Sequence, residues 1–192
     1  MEGLVFYDDI KGGLSYYNEN DQMTVNISQE VIKPIINETA FELTSGQVVY
    51  PVGTVGERFS VDLANARETE KCRFIAVMTT DTLPGETGYV TIIGTVGGVD
   101  TNGFTKGQYL YLDAANPGAV TSSIPTGGTY PTLIGVVKEV SSAPGVRDGE
   151  IEVDKHSELK VGLHWVLEKR RNFESLWVIF INFKVNCINK EW

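Results

Sequence analysis

The chain has 192 residues, a formal charge of −9 and twenty glycines, with 42% hydrophobic and 21% charged residues; that length supports one sizeable domain plus appendages, with a core that needs no staples. The acidic balance argues against nucleic-acid binding, which requires a basic stripe to neutralise phosphates. Cys72 and Cys187 lie far apart without paired spacing, so neither a disulfide framework nor a zinc site is expected and a reduced compartment is, while the start Met1-Glu2-Gly3-Leu4 resembles no secretory signal and no apolar run approaches the ~18 residues of a membrane helix.

The first zone, residues 1–33, opens with Leu4-Val5-Phe6-Tyr7-Asp8 and Leu14-Ser15-Tyr16-Tyr17-Asn18 on either side of Gly12-Gly13, which predicts an N-terminal β-hairpin. Met23-Thr24-Val25-Asn26-Ile27 alternates strictly and predicts a half-buried strand. A lone hairpin is marginal in water, so this zone is expected to pair with the following domain or with other copies of the chain.

The second zone, residues 34–154, repeats itself. Thr44-Ser45-Gly46-Gln47-Val48-Val49-Tyr50 returns as Thr105-Lys106-Gly107-Gln108-Tyr109-Leu110-Tyr111. Ile75-Ala76-Val77-Met78 returns as Ile134-Gly135-Val136-Val137, and Thr87-Gly88-Tyr89-Val90-Thr91-Ile92 as Asp148-Gly149-Glu150-Ile151-Glu152-Val153. Matches at near-constant spacing define two units, about 43–94 and 104–154, and predict a duplicated β-sandwich or barrel. The largest loops run from Asn65 to Lys71, with room for one helical turn, and from Ala114 to Thr129.

The third zone, 155–192, holds all three tryptophans and no proline. His156 to Arg171 has the spacing of a short helix, and Leu176 to Val185 reads as a strand apolar on both faces. Such a segment must be buried or paired. The composition break marks a C-terminal extension of different character.

No catalytic constellation emerges along the chain. His156 and His164 lack the i, i+4 spacing of a zinc-binding helix. Cys72 between Lys71 and Arg73 reads as a small residue entering a strand, with a reactive thiol as the lesser alternative. Gly94-Thr95-Val96-Gly97-Gly98 has no Gly-Lys-Ser/Thr ending, and Asp100-Thr101-Asn102-Gly103 lacks the later carboxylate of a calcium loop. No metal and no cofactor are therefore expected. Aromatic side chains remain as candidate contact residues: Phe6, Tyr7, Tyr16 and Tyr17, with Trp177, Ile179 and Ile181 of the apolar tail, for assembly, and Tyr89, Tyr109 and Tyr130 for a ligand. Inward or inter-subunit packing is the leading reading of the tyrosines, because tyrosine is an ordinary strand residue.

The runs Phe6-Tyr7-Asp8, Gly13 to Asn18, Thr24 to Glu30, Leu43 to Tyr50, Gly94 to Thr101, Phe104 to Leu112 and Gly149 to Val153 together resemble the β-domains of tailed-bacteriophage fibre and virion structural proteins. The resemblance extends from Gly3 to His164, after which Trp165 to Trp192 departs from the pattern. It implies a non-enzymatic module on the virion surface, part of a tail fibre, head fibre or capsid decoration. It also implies a homotrimer in contact with other virion proteins and a part in host attachment through a surface glycan or receptor. The alternative is a carbohydrate-binding or adhesin module that uses loop aromatics.

Overall fold

The computed structural model describes residues 4–9, 13–17, 24–27, 30–73 and 75–154. The sequence expectations for 155–192, including Trp177, Ile179 and Ile181, lie outside the described residues.

The fold is all-β, in two sheets. Strands β1 (Val5–Asp8), β2 (Gly13–Tyr17) and β3 (Thr24–Asn26) form an antiparallel meander. The remaining strands are β4 (Val31–Ile36), β5 (Val48–Val55), β6 (Arg58–Leu63), β7 (Ala76–Met78), β8 (Thr87–Val99), β9 (Tyr109–Leu112), β10 (Val120–Thr121), β11 (Leu133–Glu139) and β12 (Gly149–Val153). They make one nine-stranded sheet in the order β10-β9-β11-β12-β8-β4-β6-β5-β7, and β7 also pairs with β8. That last pairing closes β8, β4, β6, β5 and β7 into a ring. A 3-10 turn, Thr69–Lys71, supplies the helical turn of the 65–71 loop.

The repeated sequence has a hydrogen-bonding reason. In the first copy Gln47 N–H donates to Thr44 O and Gln47 Oε1 accepts from Thr44 N–H; in the second, Gln108 and Thr105 make the same two bonds. Gly46 and Gly107 sit between them at φ +88° and +78°, the position of a type II turn that disfavours a side chain. Each turn then starts a strand pair: Gly46 N–H donates to Met78 O and Met78 N–H to Gln47 O, matched by Gly107 with Val137 and Val137 with Gln108. Farther on, Leu83-Pro84-Gly85-Glu86 and Ala143-Pro144-Gly145-Val146 form equivalent turns closed by 3.1 Å bonds. Thr-x-Gly-Gln and Pro-Gly are thus turn chemistry written twice.

The structural repeat is longer than the matched motifs. The first unit comprises β4 to the first half of β8, and the second comprises the second half of β8 with β9 to β12. Starting from its own first strand, each unit has the same neighbour order: β4-β8-β7-β5-β6 in one and β8-β12-β11-β9-β10 in the other. Strand β8 serves both, changing partner where Ile93 faces Val31 of β4 and Gly94 faces Val153 of β12. Gly94 has φ +124°, and a Cβ there would lie 2.6 Å from Glu30 Cγ, so the changeover requires glycine.

The first unit closes because β6 reaches β4 in parallel, pairing Ile35 with Phe59 and Ile36 with Ser60. The second stays open because its equivalent, β10, has two residues and pairs only with β9. Side chains cover part of the free edge instead: Gly97 O accepts from Ser45 Oγ at 2.8 Å and Gly98 O from Arg147 Nε at 2.9 Å. Pro34 is tolerated in β4 because the β6 pairing engages only Ile35 and Ile36.

Two apolar clusters fill the fold. Ile35, Leu43, Val49, Val61, Met78 and Val90 fill the ring. A larger cluster joins Val48, Ala64, Ala66, Ile75 and Val77 of the first unit to Val96, Leu110, Leu112, Ile134, Val137, Ile151 and Val153 of the second. The start of β5 and the end of β7 are buried on both faces, which is why Val48-Val49 and Val77-Met78 do not alternate with polar residues. Each such side chain contributes roughly 1.5–3 kcal/mol of transfer free energy, and the shared cluster makes the two copies one body.

Candidate assembly surface

The register of the N-terminal meander sorts its side chains by face. Val5 lies opposite Tyr16, Tyr7 opposite Leu14, and Tyr16 opposite Val25, so these five share one face. Ile27, whose N–H donates to Leu14 O at 2.8 Å, continues from Val25 past the end of β3. Val5 (54%), Tyr7 (61%), Leu14 (51%) and Ile27 (43%) are exposed, Tyr16 is half-buried and Val25 is buried. None of the six is charged.

The opposite face makes contacts of its own, with Leu4 exposed at its edge. Phe6 and Tyr17 stack with ring centroids 5.0 Å apart and planes 30° apart. Ser15 Oγ donates to Asn26 Oδ1, and Asn26 donates from its backbone N and Nδ2 to the Glu30 carboxylate at 3.0 and 3.1 Å. Those bonds anchor the meander to the residue preceding β4. The sheet is therefore fixed through one face and presents apolar side chains on the other. Three short strands gain independent stability only when such a face is covered.

The four aromatic assembly candidates of this zone divide between the faces: Tyr7 and Tyr16 lie on the apolar face, Phe6 and Tyr17 on the other. Val5, Leu14 and Ile27 belong with Tyr7 and Tyr16 but are not aromatic; the alternations Val5-Phe6-Tyr7 and Leu14-Ser15-Tyr16 carried that signal. The ligand candidates do not meet in one strand pair. Tyr89 is half-buried on β8 opposite Pro34, Tyr109 is 57% exposed on β9 opposite Val136, and Tyr130 sits in a loop with its N–H donated to Ala66 O.

Two polar groups singled out in the sequence, Asp100 and Cys72, are engaged in structure, whereas His156 and His164 lie outside the described residues. Asp100 Oδ1 accepts from Asn102 N–H and Oδ2 from Gly145 N–H, so this carboxylate holds two loops together. Cys72 is buried just after the 3-10 turn, with Sγ 3.3 Å from Thr69 O. Asp81 receives two 2.7 Å bonds from the Arg147 guanidinium and one from Ser45 N–H. Those donors, Arg147 first, hold its carboxyl below the usual range against the opposing effect of partial burial. On the outer face of the second unit Lys138 lies within 4 Å of Glu150 and Glu152. Among the described residues no group of three or more His, Cys, Asp or Glu converges to hold a metal ion. No protein-family model, curated protein or solved structure matches the chain.

Proposed function

We propose that this chain is a non-enzymatic structural module of a virus particle, a surface-projecting β-domain of the tail-fibre, head-fibre or capsid-decoration kind. It assembles as a homotrimer through the apolar face of the N-terminal meander and contributes to host attachment. The observation that carries the assembly step is the uncharged face of Val5, Tyr7, Leu14, Tyr16 and Ile27, most of it open to solvent beside a well-packed double unit. Interface centres are depleted in charge and enriched in aromatics, and in a chain of net charge −9 an uncharged face is where like copies meet with least repulsion. The virion setting rests on the resemblance of the motifs to phage fibre and virion proteins. The carboxylates of Asp81 and Asp100 are committed to structural bonds, which agrees with a scaffold.

Light scattering on the full chain tests the assembly step. A trimer is expected, falling to monomer in Tyr7→Lys/Leu14→Glu with the β-type circular dichroism retained. A monomeric wild type, or a double variant that remains trimeric, rejects this face as the assembly surface.

A further inference from the structure

The loops around 64–68 and 113–129 enclose a groove of about 560 Å³, away from the meander and outside every motif the sequence singled out. Among the described residues its lining includes one cation, Arg67, whose backbone N–H is fixed by Asn65 Oδ1 at 2.8 Å. The Arg67 guanidinium makes no ion pair or hydrogen bond with the described residues, whereas nearby Lys71 and Arg73 pair with Glu68 and Glu70. Asp113, also in the lining, keeps its negative charge but forms no ion pair with Arg67. Its carboxylate accepts from Ala115 N–H at 2.6 Å, from Asn116 N–H at 3.4 Å and from Asn116 Nδ2 at 3.1 Å.

The rest of the lining is hydroxyl-rich and low. Ser123, Thr126 and Thr129 line it, and Gly127 and Gly128, at φ +74° and +88°, leave open space where a side chain would stand. Ile124, 52% exposed, provides one aliphatic contact. Among the described residues no aromatic ring lines the groove, so they offer no stacking platform for a neutral sugar. An extended peptide would need a strand edge, and adjacent β10 has only two residues, too few to template pairing.

We propose that this groove binds an acidic sugar, with its carboxylate on the Arg67 guanidinium. Guanidinium binds carboxylate through two parallel hydrogen bonds; the Ser123 and Thr126 hydroxyls meet ring hydroxyls, and Ile124 meets an apolar ring edge. The site does not depend on assembly through the meander.

Calorimetry on the full chain with four probes tests it: a glucuronic-acid disaccharide, a sialyl-lactose, neutral lactose and an acidic peptide. At least one acidic sugar is expected to bind, and the sugar that does separates uronic from sialic sources. Affinity should fall at least tenfold in Arg67→Ala, be partly retained in Arg67→Lys and be unchanged in Tyr7→Lys/Leu14→Glu. Arg67 is exposed, so both Arg67 variants should keep the wild-type melting profile. No binding by either acidic sugar, equal binding of lactose, preference for the peptide, or acidic-sugar binding that survives Arg67→Ala overturns the proposal.

Discussion

Substituting alanine at Gly46 and, separately, at Gly107 compares two turns that are chemically the same and differ in what lies beside them. Both glycines have positive φ, +88° and +78°, so either alanine meets a backbone cost of about 1–2 kcal/mol. At Gly107 the added methyl enters open space, with nothing within 4 Å. At Gly46 it would lie 2.6 Å from Val99 Cγ1 and 3.0 Å from Cγ2, well inside the ~3.5–4.0 Å of ordinary carbon contact. Val99 is buried in the cluster shared by both units, so it has little room to retreat, and overpacking of this kind costs about 1–3 kcal/mol. Gly107→Ala should therefore destabilise by ~1–2 kcal/mol, and Gly46→Ala by ~2–5 kcal/mol. For a domain of this size that separates losses in Tm of roughly 2–8 °C and 4–20 °C. Calorimetry or urea unfolding at constant m measures both, and Val99→Ala combined with Gly46→Ala should destabilise by less than the sum of the two single changes, because the steric part is relieved. Equal losses for the two glycines would refute the packing of the first unit's turn against the end of β8.

Three further outcomes follow from the geometry. Gln47→Ala and Gln108→Ala each remove the bond that closes a Thr-x-Gly-Gln turn; the half-buried first bond should cost about 1 kcal/mol and the exposed second one less, by urea unfolding. The Asp81–Arg147 pair bridges the two units but is partly exposed, at 45% and 36%, so Asp81→Asn should cost only ~0.2–1 kcal/mol at neutral pH. Because the folded carboxyl is held below its unfolded value near ~3.9, its contribution is present above that pH and is lost as pH falls through the folded value. A wild type that loses no more stability than Asp81→Asn in that acid range would contradict the pair. Tyr7→Lys alone, monitored by sedimentation, should weaken self-association, while Tyr109→Lys, on the outer face of the second unit, should leave it unchanged.

Much of the fold was legible because it is built from local turns. Gly46, Gly107, Gly85 and Gly145 all need positive φ, and Gln47 and Gln108 fold back within their own turns, so the duplication showed directly in the residue order. The aromatic candidates were harder to place. Tyr7 and Tyr16 share a face while Phe6 and Tyr17 share the other because of cross-strand register, which is set by pairing rather than residue type. Arg67 was passed over because only the return of the 113–129 loop turns an ordinary surface arginine into the wall of a groove.

The order of residues by itself determined that this chain is β-structured, acidic and written twice, since turn geometry and strand alternation are short-range effects. Tertiary structure alone decided that β8 belongs to both copies and that the first closes while the second remains open. Closure depends on whether β6 or β10 is long enough to reach a strand far away in the chain, and no local signal encodes that reach. Long-range packing likewise decided that Val48 and Val49 face different cores, and that Val5, Tyr7, Leu14 and Ile27 of the meander stay exposed.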